Sequence, residues 1–293
     1  MAILRSRILR RVFVTLTCSG LCTGAIAGCA GTQDRLERTG PEQFTSRVEE
    51  ILSDLASNDE AIESFVATGK LILELPELEA VQKFHGAKVR FRRPSDLFVR
   101  AGHKVTNHTV FKLWSVGRQF LLEVPRRKRE SYYSFEGERI ESVPFPVSPS
   151  DIVREMFLPE AWSTLGSSEV RIVKGEANAT IHRMEIGSRS RPRRLVDVSL
   201  FGTESPAWVI VRSVLLDKSG RTVAITTMDE YILVNGIRFP KRVEASFPVE
   251  ETRMALGLRS VRINEAIPDD TFDVEKQARK LGLLEESEKR AIE

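Results

Sequence analysis

The stretch Thr222–Phe247, TVAITTMDEYILVNGIRFPKRVEASF, decides the fold. Asn235-Gly236 stands between two runs rich in apolar and β-branched residues, the strongest short signal for a tight antiparallel hairpin. In the second run Ile237, Phe239, Val243, Ala245 and Phe247 share one face. Arg238, Arg242, Glu244 and Ser246 share the other, with Lys241 the exception. A period of two with one apolar face reads as a strand half-buried against a core.

The same texture extends in both directions. C-terminal to the hairpin, Leu256–Ile263 reads as a strand. There Leu256 and Leu258 fall out of phase with Val261 and Ile263, which predicts a bulge. N-terminal to it, Trp208–Asp217, Leu195–Phe201, Thr180–Ile186 and Val170–Lys174 are strand candidates. A second group comprises Glu130–Phe135, Gln119–Val124, Thr109–Val116, Leu97–Ala101, Lys88–Arg92 and Ile62–Leu75. Val116-Gly117-Arg118 and Lys218-Ser219-Gly220 supply further turns. In Trp208–Leu216 both faces are apolar: Trp208, Ile210, Val214 and Leu216 on one, Val209, Val211 and Leu215 on the other. Such a strand is covered on both sides or faces an apolar cavity. About a dozen antiparallel strands in one row do not stay flat; they curl, close or split into two packed sheets.

Two helical segments punctuate the strands. Phe44, Val48, Ile51, Leu52 and Leu55 recur at helical spacing through Gln43–Ser57, an amphipathic helix that needs a partner surface. Midway, Ile140–Trp162 opens with prolines at 144, 146 and 149. Ser148 or Ser150 is placed to cap a short helix over Asp151–Phe157, whose Ile152, Val153, Met156 and Phe157 need cover. A short apolar helix inserted into a curved sheet is placed to act as a lid. The tail from Glu275 is charged and reads as a frayed helix or disordered.

The first thirty residues carry a different message. Arg5, Arg7, Arg10 and Arg11 precede an uncharged segment, Val12–Gly28, and small residues lead into Cys29. This is the layout of an export signal, and the terminal Ile26-Ala27-Gly28-Cys29 resembles a bacterial lipoprotein signal with lipid on Cys29. A single membrane-spanning helix is the alternative. The segment is at the short limit for that role, roughly 17–25 residues, and is diluted by Thr15, Thr17, Ser19, Gly20, Thr23 and Gly24. Cys18 and Cys22 lack the matching approach. Ala30 and Gly31 follow, with no Asp next to Cys29; by resemblance to proteobacterial sorting rules this implies the outer membrane, facing the periplasm. The expected organisation is a signal at 1–28, a flexible tether at 29–42, one β domain at 43–274 and a charged tail at 275–293.

Composition limits the chemistry. All three cysteines lie at or before position 29, so the domain has no disulfide framework and no thiol site. The chain carries a net charge of +3, but residues 1–28 hold four arginines and no acid; the remainder has 40 basic against 41 acidic side chains. The basicity belongs to the leader, and nucleic acid is not an expected partner. His85, His103, His108 and His182 are scattered without metal spacing. Asp269-Asp270 reads as a turn, and no G-x-S-x-G or glycine-rich phosphate loop occurs. No enzyme activity, cofactor or metal is expected.

Three segments together resemble the LolA/LolB lipoprotein-carrier superfamily. They are Phe91-Arg92-Arg93-Pro94-Ser95-Asp96-Leu97-Phe98-Val99-Arg100; Leu113-Trp114-Ser115-Val116-Gly117-Arg118-Gln119-Phe120 through Pro125; and Gly236-Ile237-Arg238-Phe239-Pro240 with Val261-Arg262-Ile263-Asn264 and Ile267-Pro268-Asp269-Asp270-Thr271-Phe272. The resemblance implies a mainly β (α+β) fold: a curved antiparallel sheet forming an incomplete barrel, with the N-terminal helix and a short lid helix over its open side. It implies a hydrophobic cavity for the acyl chains of lipoproteins or lipids, with Arg93 helping to hold the lid closed. Pro144–Pro159 resembles the lid segment of the membrane-anchored acceptor, and that acceptor's exposed apolar loop residue has no counterpart in the basic turn PRRKRE, Pro125–Glu130. The same superfamily fold occurs in sensors that bind a partner protein, so an envelope partner is the alternative.

Candidate ligand or lid residues are Arg93, Phe91, Phe98, Trp114, Trp208, Ile152, Met156 and Phe157. The four aromatic residues among Phe91, Phe98, Trp114 and Trp208 read equally as cavity lining or as ordinary core. The basic runs Arg126-Arg127-Lys128-Arg129 and Arg189, Arg191, Arg193, Arg194 read as solvated turns or as contacts for anionic headgroups, since arginine forks suit phosphate.

Overall fold

The helix predicted near residue 43 forms as α1 (Pro41–Glu60), and a strand begins four residues later. The computed structural model describes residues 41–76, 81–103, 108–125, 131–134, 149–157, 162–173, 181–188 and 191–284. The leader, residues 29–40 of the expected tether with Cys29, Arg126–Arg129 and Arg189 therefore lie outside the described residues, and residues 41 and 42 open α1.

After α1 come β1 (Ser64–Glu74), β2 (Gln82–Arg92), β3 (Asp96–Gly102), β4 (Thr109–Val116), β5 (Gln119–Glu123) and β6 (Tyr132–Ser134). The inserted helix is α2 (Pro149–Phe157). Then β7 (Val170–Val173), β8 (Ile181–Ser188), β9 (Arg191–Phe201) and β10 (Ala207–Leu216) lead into β11 (Thr222–Val234), β12 (Ile237–Phe247) and β13 (Thr252–Ile263). A short helix, α3 (Val274–Leu281), follows.

All thirteen strands join one antiparallel sheet in the order β6-β5-β4-β3-β2-β1-β13-β12-β11-β10-β9-β8-β7. Among the described residues β6 and β7 form no ladder with each other, so the sheet is not closed. The fold is mainly β, with an incomplete barrel in place of a closed one.

Curvature follows from what α2 touches. It packs on β4 at one side and on β11 and β12 at the other. At about 4.8 Å per strand, the six steps from β4 to β11 span roughly 29 Å if flat. A helix roughly 10–12 Å across cannot reach both. The sheet curls, and α2 sits inside the curl.

Local sequence sets the irregularities. Asn235 (φ 53°) and Gly236 (φ 82°) make the β11–β12 turn, with Val234 paired to Ile237. The phase shift in β13 is the expected bulge: Thr68 pairs with Ser260 and Gly69 with Leu258, leaving Arg259 extra. Gly69 is obligatory, because a Cβ there would collide with the Gly257 carbonyl oxygen. A second bulge lies in β10, where Ile210 pairs with Val198 and Arg212 with Asp197, leaving Val211 extra.

Alternation divides the side chains into two clusters. Phe65, Leu71, Val89, Phe91, Leu113, Val196, Phe239 and Leu256 belong to the large inner core, with Ile51 and Leu55 of α1 and Ile152 and Met156 of α2. Trp114, Leu121 and Tyr133 form a separate cluster with Val274 and Ala278 of α3. The folded body thus continues past Val274, because α3 buries these two residues on the outer face of the sheet. Among the described residues no helix is long and apolar enough to cross a membrane.

Candidate functional site

Among the described residues, one buried polar patch on the inner face of the sheet meets α2. Arg194 on β9, Ser213 on β10 and Thr226 on β11 are buried on three neighbouring strands. All three meet α2. Arg194 Nη1 donates to Glu155 Oε2 at 2.8 Å and Nη2 to Oε1 at 3.1 Å. Nη1 also donates to Ser213 Oγ at 2.8 Å. Thr226 Oγ1 donates to the Glu155 carbonyl oxygen at 3.1 Å, which satisfies one of the orphan acceptors in the last turn of α2. The Glu155 and Arg194 side chains are 1% and 2% exposed, so this is an ion pair inside the core.

Around that patch α2 is held by apolar contact. Ile152 and Met156 are buried. Phe157 lies 5.3 Å from Phe65 and 6.2 Å from Phe91, ring centroid to centroid. Phe65 stacks on Phe91 at 5.2 Å and meets Phe239 edge-on at 5.0 Å. A space of about 30 Å³ with a wholly apolar lining remains between Ile152, Met156, Phe157 and Leu71, Val89 and Leu113. A second, of about 90 Å³, lies where α1 and α2 approach Trp208, Arg93 and Phe239. Ligand pockets are usually about 300–1,000 Å³, so neither holds an acyl chain while α2 is seated. The hollow that the resemblance implies is occupied by the chain's own helix.

The chain is similar in structure to LolA superfamily proteins. A LolA superfamily protein from Nitrosomonas europaea matches at 16% identity over 76% of this chain and 97% of that one, with a TM-score of 0.47. A DUF1329 family protein from Desulfovibrio piger matches at 12% identity over 78% and 96%, TM-score 0.48. A candidate outer membrane lipoprotein-sorting protein domain from Vibrio parahaemolyticus matches at 12% identity over 78% and 98%, TM-score 0.46. No protein-family model and no curated protein sequence matches. A likeness of this degree carries no ligand or partner with it.

The second cover is α1, which packs on β10, β7 and the turn at Trp162–Thr164. Its Asp54 accepts the Trp208 backbone N–H at 3.1 Å, and Glu50 accepts Trp208 Nε1–H at 3.2 Å. Arg93 closes its C-terminal end. Nε donates to the Ile62 carbonyl and Nη2 to the Asp59 carbonyl, both at 2.6 Å, and Nη2 pairs with the Asp59 carboxylate at 2.6 Å. A cation on the last carbonyls of a helix satisfies orphan acceptors and suits the dipole. Burial nevertheless raises the Asp59 carboxyl above its ordinary pKa, with Arg93 acting in the opposite direction.

The structure brings together Phe91, Arg93, Met156, Phe157 and Trp208 around one space, with Ile152 beside the other. Among the described residues Arg93 bonds to the end of α1, and the guanidinium bonded to α2 is that of Arg194. Phe98 and Trp114 do not face the hollow. They lie 5.0 Å apart, and Trp114 packs in the outer cluster with its indole N–H on the Thr271 carbonyl. Period-two parity is the reason: Leu97 and Leu113 take the inner face, so their neighbours point out. Arg126, Arg127, Lys128 and Arg129 lie outside the described residues. Arg193 is exposed, but Arg194 is buried, because β9 begins at Arg191 and puts Arg194 on the parity of Val196 and Val198. His85, His103 and His108 line a polar cleft of about 340 Å³ elsewhere. Among the described residues no group of three or more His, Cys, Asp or Glu converges as a metal site.

Glu155, Ser213 and Thr226 are the site residues that pattern reading misses. A carboxylate beside Ile152 and Met156 on a helix was the available signal for Glu155. The Val211 bulge turns Ser213 inward, opposite Val196, where unbroken alternation would put Arg212.

Proposed function

We propose that this chain is a lipid-anchored, non-enzymatic envelope protein that binds acyl chains of lipoproteins or lipids on the concave face of its sheet and assists their sorting at the outer membrane. The observation that carries the reading is the seat of α2. A separate helix, bonded to the sheet through Arg194 and Thr226, fills a largely apolar hollow. Three side chains such as Ile152, Met156 and Phe157 gain about 5–9 kcal/mol from such burial. A sixteen-carbon chain gains about 11 kcal/mol from the same surface at ~0.8 kcal/mol per CH₂. The two are close enough to exchange, so α2 acts as a plug that a long acyl chain displaces. The anchor rests on Cys29 and the pattern before it, and the outer-membrane assignment on Ala30 and Gly31. Titration of the purified protein with a fluorescent fatty acid is expected to give saturable binding near one chain per protein. Absence of saturable binding overturns the reading.

The filled hollow favours a second reading, in which α2 is permanent core and the fold serves an envelope partner protein. Organic extraction of the purified protein separates the two: bound lipid in the extract supports the first, and one stoichiometric protein partner with no lipid supports the second.

A further inference from the structure

Arg194 carries a guanidinium with a fork of N–H donors, and its side chain is buried on the inner face of the sheet. A buried charge of this kind needs a partner. The anion in its ion pair is supplied by α2, through Glu155, while the neighbouring strand contributes the neutral Ser213 hydroxyl. When α2 leaves the hollow, the Glu155 carboxylate leaves with it. Whatever enters in its place must meet the same guanidinium.

The geometry of that guanidinium is specific. Nη1 and Nη2 are presented side by side, and the two Glu155 oxygens sit on them at 2.8 and 3.1 Å. This is two-point recognition of a planar oxygen pair. Thr226 Oγ1, on the next strand, donates to the same residue of α2. On the same helix, Ile152, Met156 and Phe157 line an apolar slot against Leu71, Val89 and Leu113. A nine-residue helix is about 13 Å long, so the slot it vacates suits a chain lying lengthwise with its head at the patch.

We propose that Arg194, with Ser213 and Thr226, is a cryptic headgroup site for an anionic amphiphile, and that Glu155 is its internal stand-in. The ligand's anionic oxygens take the place of the Glu155 carboxylate, and its chain takes the place of the apolar side chains of α2. The shared chemistry is an oxygen pair bearing negative charge at the end of an acyl chain, from a fatty-acid carboxylate or a phospholipid phosphate. The proposal rests on the acyl-binding reading above and narrows it, because a neutral chain has no oxygen pair to take the place of the Glu155 carboxylate on the fork.

The test is equilibrium binding of three probes of matched chain length to the purified full chain: palmitate, 1-hexadecanol and palmitoyl lysophosphatidylglycerol. Palmitate is expected to bind at least tenfold tighter than hexadecanol. Glu155→Gln removes the competing carboxylate and is expected to tighten palmitate tenfold or more without a matching gain for hexadecanol. In Arg194→Met the palmitate and hexadecanol affinities are expected to converge. A tighter lysophospholipid than palmitate assigns the site to phosphate, and the reverse assigns it to carboxylate. Equal palmitate and hexadecanol affinities in the unaltered protein overturn the headgroup site and leave acyl binding standing. Binding of none of the three overturns acyl binding itself and the headgroup site with it. The probe comparison needs no variant, so a misfolded variant leaves it decisive.

Discussion

Glu155 and Arg194 join the inserted helix to the sheet through two hydrogen bonds of 2.8 and 3.1 Å, across side chains almost fully removed from solvent. Breaking a buried pair from one side leaves the other charge uncompensated and costs about 3–5 kcal/mol, whereas replacing both with apolar groups is often neutral. Glu155→Leu and Arg194→Met are each expected to lower stability by about that amount. Glu155→Leu with Arg194→Met is expected to recover most of the loss. Urea denaturation of the four proteins forms the cycle, and additive losses would show that the pair is not coupled.

Arg93 is expected to act on α1 alone. Arg93→Ala removes donors from the Ile62 and Asp59 carbonyls and the partner of the Asp59 carboxylate. The expected loss is about 1–3 kcal/mol, with faster amide exchange in the last turn of α1 and unchanged exchange in α2. The Asp59 carboxyl pKa, already raised by burial, should rise further, because Arg93 now holds it down. Carbon-detected NMR titration of Asp59 reads that direction, and a fall would contradict the assigned contact.

His182 lies edge-on to Trp208, ring centroids 5.1 Å apart, beneath α1. Burial, and secondarily the Arg47 charge, lower its pKa below the ordinary 6.5. The unfolded chain therefore takes up this proton first as the pH falls. The contribution is full above pH 6.5 and is lost between 6.5 and the lower folded value. His182→Phe is expected to flatten the stability profile in that window. Denaturation midpoints measured across it check the sign; a profile in which acid stabilises the protein relative to His182→Phe would contradict it.

The β13 bulge offers a paired test of backbone packing. Gly69→Ala drives a Cβ into the Gly257 carbonyl oxygen, which is backbone and cannot rotate away. A loss of about 2–3 kcal/mol is expected. Gly257→Ala meets open space and should change stability by no more than about 0.5 kcal/mol. Thermal melts of the two variants decide this, and equal effects would refute the close approach.

The strands were legible because each carries its own alternation and turn. Thr109–Val116, Thr222–Val234 and Ile237–Phe247 begin and end where pattern and turn residues place them. The phase shift in β13 announced its bulge. Parity, however, says only that two residues face opposite ways, not which face is concave. Phe98 and Trp114 fell on the wrong side for that reason. The polar patch was hidden for a different one. Arg194 stands in a run of arginines that reads as a turn, and it becomes inward-facing only because β9 starts at Arg191. Ser213 is turned in by a bulge that no local residue signals. Glu155 and Arg194 are 39 residues apart, and only the curl of the sheet makes them neighbours.

The central claim is that α2 occupies the ligand's place. Hydrogen exchange of the amides of residues 150–157, with and without saturating palmitate, tests it most directly. Loss of protection in α2 on binding, with protection of β4, β11 and β12 kept or increased, is the expected result. Palmitate bound with α2 protection unchanged or raised would contradict it.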